Sequence, residues 1–151
     1  MIRRFKFEGN IAENLDCVPM AVRRKLDRVG LKISLKHWQQ LPRIDRLAIC
    51  HLPANLEEER EVLAQFIRES LGRINGEPGI LPAEAQEQAE PPPNPPEDLV
   101  QRAETLGFTL NAPAWARLDP DERYALTKLG SGQEASHNLA AALKEMLTPA
   151  G

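Results

Sequence analysis

The feature that most constrains this chain is a pattern that occurs twice, 77 positions apart and without a gap. Residues 29–52 read VGLKISLKHWQQLPRIDRLAICHL, and residues 106–129 read LGFTLNAPAWARLDPDERYALTKL. The alignment pairs the only two tryptophans, Trp38 and Trp115, and it pairs Gly30 with Gly107. Internal repeats of this kind are typical of one structural unit built more than once. The sequence therefore predicts a duplicated unit before any chemical motif is considered.

Each copy predicts the same order of helices. A first helix begins near Pro19 and carries Val22, Leu26 and Val29 on one apolar face until a glycine, Gly30, ends it. Two short helices and a longer one then follow in each copy. The longer helices are expected after Asn55 and after Ser131.

Capping residues support these boundaries. Ser34 and Asn111 occupy equivalent positions and are good N-caps for the short helices that carry the tryptophans. In the second copy, Asp119 and Glu122 have the spacing of a capping box, with a proline at the first turn between them. Both observations favour helices that start at matching positions in the two copies.

We predict an all-α protein of two similar helical halves that pack about a pseudo-twofold axis. Residues 1–75 form the first repeat and begin with a short extended arm, in which Phe5 and Phe7 alternate with charged residues. Residues 76–95 form a proline-rich linker, inside which residues 83–90 have the composition of a short exposed helix. A proline-rich segment can also dock on an aromatic groove of a partner. We prefer the linker interpretation, because the two halves need a connection. Residues 96–151 form the second repeat.

Composition excludes several classes of protein. No apolar run approaches the roughly 18 residues that a membrane span needs, and the N-terminus MIRRFKFEGN lacks the apolar region of a secretory signal. Two cysteines, Cys17 and Cys50, do not make a disulfide framework. We therefore expect a reduced, cytoplasmic protein with no membrane association.

Charge is separated along the chain. Residues 20–46 carry eight Lys/Arg and two Asp, whereas residues 47–98 carry eleven acidic residues and three Arg. Arg23, Arg24 and Arg28 lie away from the apolar face of the first helix and are our candidate partner-binding residues. Their counterparts in the second copy are uncharged: Val100, Gln101 and Thr105.

The same basic face has two other interpretations. It can be a solvated surface paired with the acidic run at residues 57–61, or it can bind nucleic-acid phosphates. The sequence pI of about 5.7 and the lack of an obvious recognition helix argue against a DNA-reading protein.

Candidate chemical groups are few. Cys17, His37, Cys50 and His51 are metal-ligand types, but their spacing fits no zinc motif. We therefore predict no metal, no cofactor and no catalytic residues, and interpret the cysteines as small buried side chains. A metal-dependent enzyme built on Cys17, Cys50 and a histidine is the weaker alternative, which a stoichiometric metal in the purified protein would favour. We also interpret the two tryptophans as core anchors rather than as a binding platform.

Several segments together resemble the nitrate reductase-associated protein family. These are Phe5-Lys6-Phe7-Glu8, the run from Cys17 to Asp27, Gly30-Leu31-Lys32 and Trp38. The resemblance implies an accessory, non-enzymatic role toward assimilatory nitrate reductase, an enzyme that carries molybdopterin and iron–sulfur centres. It also implies a protein partner, either the reductase itself or a protein of its maturation pathway. No active-site residues follow from the resemblance.

Overall fold

The computed structural model describes residues 2–131 and 137–147. Within these ranges the chain is 63% helical, with ten α-helices and one two-stranded sheet. The predicted helical character is confirmed, and the small sheet is not predicted by the sequence. Contacts divide the chain into two units. The first comprises the residues up to Arg4 together with Asn10–Ala89, and the second comprises Phe5–Gly9 with the residues from Glu90 onward.

The first unit contains six helices and both strands. They are α1 (Ile11–Asn14), α2 (Met20–Val29), β1 (Leu31–Lys32), α3 (Leu35–Gln40), α4 (Arg43–His51), α5 (Glu57–Arg73), β2 (Gly79–Ile80) and α6 (Ala83–Glu87). Helix α2 ends at Gly30, whose φ of +74° is a left-handed conformation that glycine adopts without strain. The side chain of Ser34 accepts from the His37 N–H at 3.1 Å and caps α3, as the sequence predicts.

The core of the first unit is formed by the apolar faces of its helices. Helix α5 contributes Leu63, Ile67 and Leu71, which are fully buried, at the spacing of one helical face. The remaining core residues include Leu15, Val22, Leu26, Leu31, Ile33, Trp38, Leu41, Ile49, Cys50 and Ala54. Burial of these apolar side chains holds α2, α3, α4 and α5 together.

Residues 76–89 fold onto the first unit. Strand β2 pairs antiparallel with β1, with Leu31 opposite Ile80, and the Leu81 N–H donates to the Gly30 carbonyl at 2.9 Å. Helix α6 lies within the predicted segment 83–90 and packs against α2. Ala89 is almost completely buried. The contacts of this part of the predicted linker are therefore those of a structural element of the first unit.

The second unit contains four helices within the described residues: α7 (Glu97–Thr105), α8 (Ala112–Arg117), α9 (Pro120–Leu129) and α10 (Asn138–Leu147). The Asn111 side chain accepts from the Ala114 N–H at 2.9 Å and caps α8. At α9, Asp119 and Glu122 make both bonds of the predicted capping box, at 2.8 and 3.0 Å. The stretch just after Ser131, where the sequence predicts the start of the last helix, lies outside the described residues.

The predicted extended arm at the N-terminus is wrong in part. Phe5 has an extended backbone, but Lys6–Glu8 form a 3-10 helix that packs against α10. The Phe7 N–H donates to a side-chain oxygen of Glu145 at 3.0 Å, and the rings of Phe5 and Phe7 stack at 5.3 Å. These residues group with the second unit, whereas the sequence assigns the arm to the first. A period of two over so few residues does not distinguish a strand from a tight turn.

Candidate functional site

The three arginines predicted to bind a partner occupy different environments on α2. Arg23 is exposed and Arg28 is half-buried, with its Nη1 donating to Asn55 Oδ1 at 2.9 Å. Arg24 is only 8% exposed, and its Nε donates to the Ala89 carbonyl at 2.9 Å. The predicted exposure of Arg24 is therefore wrong. The reason is that the segment ending at Ala89 folds over α2, which the helical spacing of the arginines does not reveal.

Lys25, the neighbour of Arg24, links α2 to the end of α4. Its Nζ donates at 2.5–2.8 Å to three backbone carbonyls in the last turn of α4 and just after it: Ile49, Cys50 and Leu52. The last carbonyls of a helix have no partner within the helix, and a cation near them also interacts favourably with the helix dipole. Burial lowers the pKa of Lys25 to about 8, so the ammonium form still predominates at neutral pH.

The second unit has a similar arrangement, in which the cation is an arginine and its acceptor corresponds to Pro53 and not to an acceptor of Lys25. Arg102 lies 77 positions after Lys25, and its Nη1 donates to the carbonyl of Gly130, the residue that follows α9. The sequence analysis does not identify either residue as a helix cap. The sequence pattern that could have identified them is a basic residue at equivalent positions of the two aligned segments, a few residues inside the first helix of each.

Both tryptophans are fully buried, as their interpretation as core anchors requires. The Trp38 indole N–H donates to the Leu15 carbonyl at 2.8 Å, and the Trp115 indole N–H donates to the Pro92 carbonyl at 3.0 Å. Each acceptor lies 23 positions before its tryptophan. Buried indole N–H groups need a partner, and a backbone carbonyl supplies it in both units.

The candidate metal ligands do not form a cluster. Within residues 2–131 and 137–147, no group of three or more His, Cys, Asp and Glu side chains is placed to hold a metal ion. His37 lies against Gly76, where an added Cβ would be 3.0 Å from the His37 Nε2. Cys17 is half-buried and Cys50 is buried, and both are free thiols.

The environment of Cys50 keeps its thiol protonated. Burial raises the pKa of Cys50, and the nearby positive charges of Lys25 and Arg43 offset this only in part. The thiolate is the reactive form of cysteine, so a raised pKa makes this side chain a poor nucleophile at neutral pH. The interpretation of Cys50 as a small buried side chain agrees with this environment.

A cavity of about 280 Å³ lies beside α4 in the first unit. Its apolar lining comes from Ile2, Ala12 and Leu47, and its polar lining comes from Arg4, Glu13, Arg43 and His51, with Cys50 between them. Two guanidinium groups therefore lie at one cavity that is otherwise largely apolar. The sequence analysis does not predict this cavity, because residues 2–4 reach α4 only in the folded chain.

A model of the family described as conserved nitrate reductase-associated protein matches residues 4–146. Among the described residues, none of the helices combines the length and the apolar character that a membrane crossing needs. The chain has no detectable match among curated proteins and none among solved structures. The matched range includes the basic residues of α2, both tryptophans and every residue of the cavity lining except Ile2. The chain therefore belongs to the conserved nitrate reductase-associated protein family.

Proposed function

We propose that this chain is a non-catalytic accessory protein of assimilatory nitrate reductase, and that it acts by protein–protein contact. The contact would serve maturation, cofactor insertion or activity of the reductase. The observation that carries the proposal is the family match over residues 4–146, because the family is described by its association with the reductase. The partner is then the reductase or a protein of its maturation pathway.

The surface that best suits this role comprises Arg23, Arg28 and Leu56, here called the α2 contact surface. Arg28 bonds to Asn55, and the next residue, Leu56, is 63% exposed. An arginine beside an exposed apolar side chain is a composition that protein interfaces favour. Arg23, which is exposed on the same helix, adds a second positive charge. Arg24 is excluded from this surface because it is buried and bonded to Ala89.

The asymmetry between the two copies supports this choice of surface. At an offset of 77, Arg23 and Arg28 correspond to Val100 and Thr105, which carry no charge. Core packing of the unit therefore does not require these arginines. A charge that only one copy of a repeated scaffold carries is a natural candidate for the function that the scaffold supports.

The proposal includes an internal duplication of the chain. Helices α3 (Leu35–Gln40) and α8 (Ala112–Arg117) have bounds that differ by 77 at both ends. The acceptors of the two indole N–H groups, Leu15 and Pro92, differ by the same 77. Matching hydrogen bonds at matching positions support one ancestral unit that was repeated.

A pull-down from nitrate-grown cells tests the proposal. Tagged wild-type protein is compared with the double variant Arg23→Glu/Arg28→Glu and with Arg117→Glu, which reverses an exposed charge in the second unit. We expect the wild type and the Arg117 variant to recover a reductase component, quantified by mass spectrometry. The double variant is expected to recover at least about tenfold less, because its glutamates would face an acidic patch of the partner, and like charges weaken an interface by several kcal/mol.

Two results would count against this function. One is repeated failure of the wild-type protein to recover any reductase or maturation component. The other is salt-dependent binding of duplex DNA at sub-micromolar affinity that the double variant loses, which would favour a nucleic-acid-binding regulator instead. Unchanged recovery by the double variant would move the contact surface away from α2.

A further inference from the structure

The cavity beside α4 is lined by apolar side chains together with two arginines and one glutamate. Its volume of about 280 Å³ is near the lower limit of known small-molecule sites and fits a ligand of roughly ten non-hydrogen atoms. Ile2, Ala12 and Leu47 supply the apolar contacts. Pockets of this kind bind through apolar contact and are made selective by a few polar groups.

Arg43 is the polar group best placed to select a ligand. Its two terminal nitrogens donate to the backbone carbonyls of Glu13, at 2.6 Å, and Asn14, at 3.3 Å. These neutral acceptors fix the plane of the guanidinium but do not cancel its charge. Since an arginine has five N–H donors, others remain for a ligand at the cavity.

Arg4 adds a second positive charge at the same cavity. It pairs with the carboxylate of Glu13 at 3.7 Å, and both side chains are more than half exposed. An exposed pair at that distance is weak. The two arginines of the lining outnumber its one carboxylate, that of Glu13, so these three groups have a formal net charge of about +1.

We propose that this cavity binds a small organic anion, made of an apolar body that carries one carboxylate. The apolar body would contact Leu47 and Ile2, and the carboxylate would accept from the guanidinium of Arg43, with Arg4 as a second cation. Guanidinium and carboxylate groups match in geometry and charge, so a carboxylate suits this position better than a neutral polar group does. The buried Cys50 thiol adds a neutral, polarizable wall.

The second copy shows how the same position of the repeat is filled. Tyr124 corresponds to Leu47 and is almost completely buried, and Pro120 corresponds to Arg43. A larger side chain and the loss of the guanidinium would remove both features that the proposed site needs. The substitution Leu47→Tyr therefore transfers the filling residue of the second copy to the first.

The test is titration of the full-length protein with sodium benzoate at constant ionic strength, followed by ¹H–¹⁵N NMR. Benzoate has about nine non-hydrogen atoms, for which a dissociation constant of roughly 10 mM or tighter is expected. Saturable shifts are expected at residues 12–13 and 43–51. Benzamide, which has the same ring without the charge, is expected to bind at least about tenfold more weakly, since hydrogen bonds to charged groups are the stronger ones.

Variants locate the site. Arg43→Gln and Leu47→Tyr are each expected to weaken benzoate binding at least about tenfold. Arg43→Gln removes the charged hydrogen-bonding group, and Leu47→Tyr fills the cavity. Arg4→Gln changes an exposed side chain and is expected to weaken binding less, while its NMR spectrum remains that of a folded protein. Arg117→Gln, an exposed arginine of the second unit, is the matched control and should bind as the wild type does.

The proposal is overturned by any of three results. The first is benzoate shifts that do not saturate or that lie outside the cavity residues. The second is binding of benzamide with the same affinity as benzoate, which would show that the guanidinium groups do not bind the ligand's carboxylate. The third is wild-type affinity in both Arg43→Gln and Arg4→Gln. None of these measurements involves nitrate reductase, so this site and the accessory function succeed or fail separately.

Discussion

Residues 15–53 and 92–130 contain similar hydrogen bonds but differ in the side chains that face outward. In both, a short helix is capped by Ser or Asn, a buried tryptophan donates to a carbonyl 23 positions earlier, and a cation binds carbonyls at the end of the next helix. The outward positions differ, as Arg23 against Val100 and Arg43 against Pro120 show. These bonds give partners to helix-end backbone groups and to the indole N–H groups, which either segment must do when it folds. The outward side chains are free of that requirement and are where the two copies can differ in function.

The largest expected effect concerns the two tryptophans. Both are fully buried, so Trp38→Ala and Trp115→Ala should each lower the free energy of unfolding by about 3–5 kcal/mol. Urea denaturation monitored by circular dichroism measures both variants. Comparable losses would support equivalent structural roles. A loss below about 1 kcal/mol at either position would show that the two sites are not equivalent despite their alignment.

The next effect concerns the cations that cap α4 and α9. Lys25→Met removes three charge-assisted hydrogen bonds and should cost about 2–3 kcal/mol of unfolding free energy. Lys25→Arg, which places the cation of the second copy in the first, should cost less because a donor remains. Arg102→Met is the matched change in the second unit. Wild-type stability in Lys25→Met, measured by urea denaturation, would mean that these bonds contribute little.

The sequence predicts local features of the fold well and misses contacts between distant segments. Ser34, Asn111 and the Asp119–Glu122 pair cap their helices as predicted, because a cap depends only on residues within one turn. The burial of Arg24 is missed, because it depends on Ala89, 65 positions away. The β1–β2 pair has only two residues in each strand, too few for a period of two to be recognised.

The cavity beside α4 could not be predicted from the sequence, because it also depends on contacts between distant segments. Arg43 and Leu47 come from one helix, but Ile2 and Arg4 reach it from the N-terminal segment. Neither set of residues carries a recognised ligand motif. Aligning the two copies does reveal the change from Leu47 to Tyr124, although its meaning depends on the burial of Tyr124.

A smaller effect is expected from the paired helix caps. Ser34→Ala and Asn111→Ala each remove one side-chain acceptor and should each cost about 1 kcal/mol. Thermal unfolding measures both. Replacement by aspartate at either position keeps an acceptor and should leave stability near that of the wild type. If alanine and aspartate behave alike, the bond seen at that cap does not contribute to stability.

The smallest expected effect is a pH dependence that separates the two caps. Lys25 has a pKa of about 8 in the folded protein against an ordinary value of 10.5. Above about pH 8 the unfolded chain therefore binds more protons at this residue than the folded chain does, so the free energy of unfolding rises with pH. Lys25→Met lacks this titration, and the stability difference between wild type and variant should grow from pH 8 to 9.

Arginine stays protonated throughout this range, so the difference between wild type and Arg102→Met should stay constant. Subtracting each variant from the wild type removes the titrating groups that do not interact with the mutated residue, and a Cys50→Ala background removes the one thiol that is electrostatically coupled to Lys25. Urea midpoints at several pH values measure both differences. If the stability difference between wild type and Lys25→Met does not change with pH, the three carbonyl acceptors stabilise the ammonium form as well as water does. Lys25 would then stay protonated over this pH range, as Arg102 does.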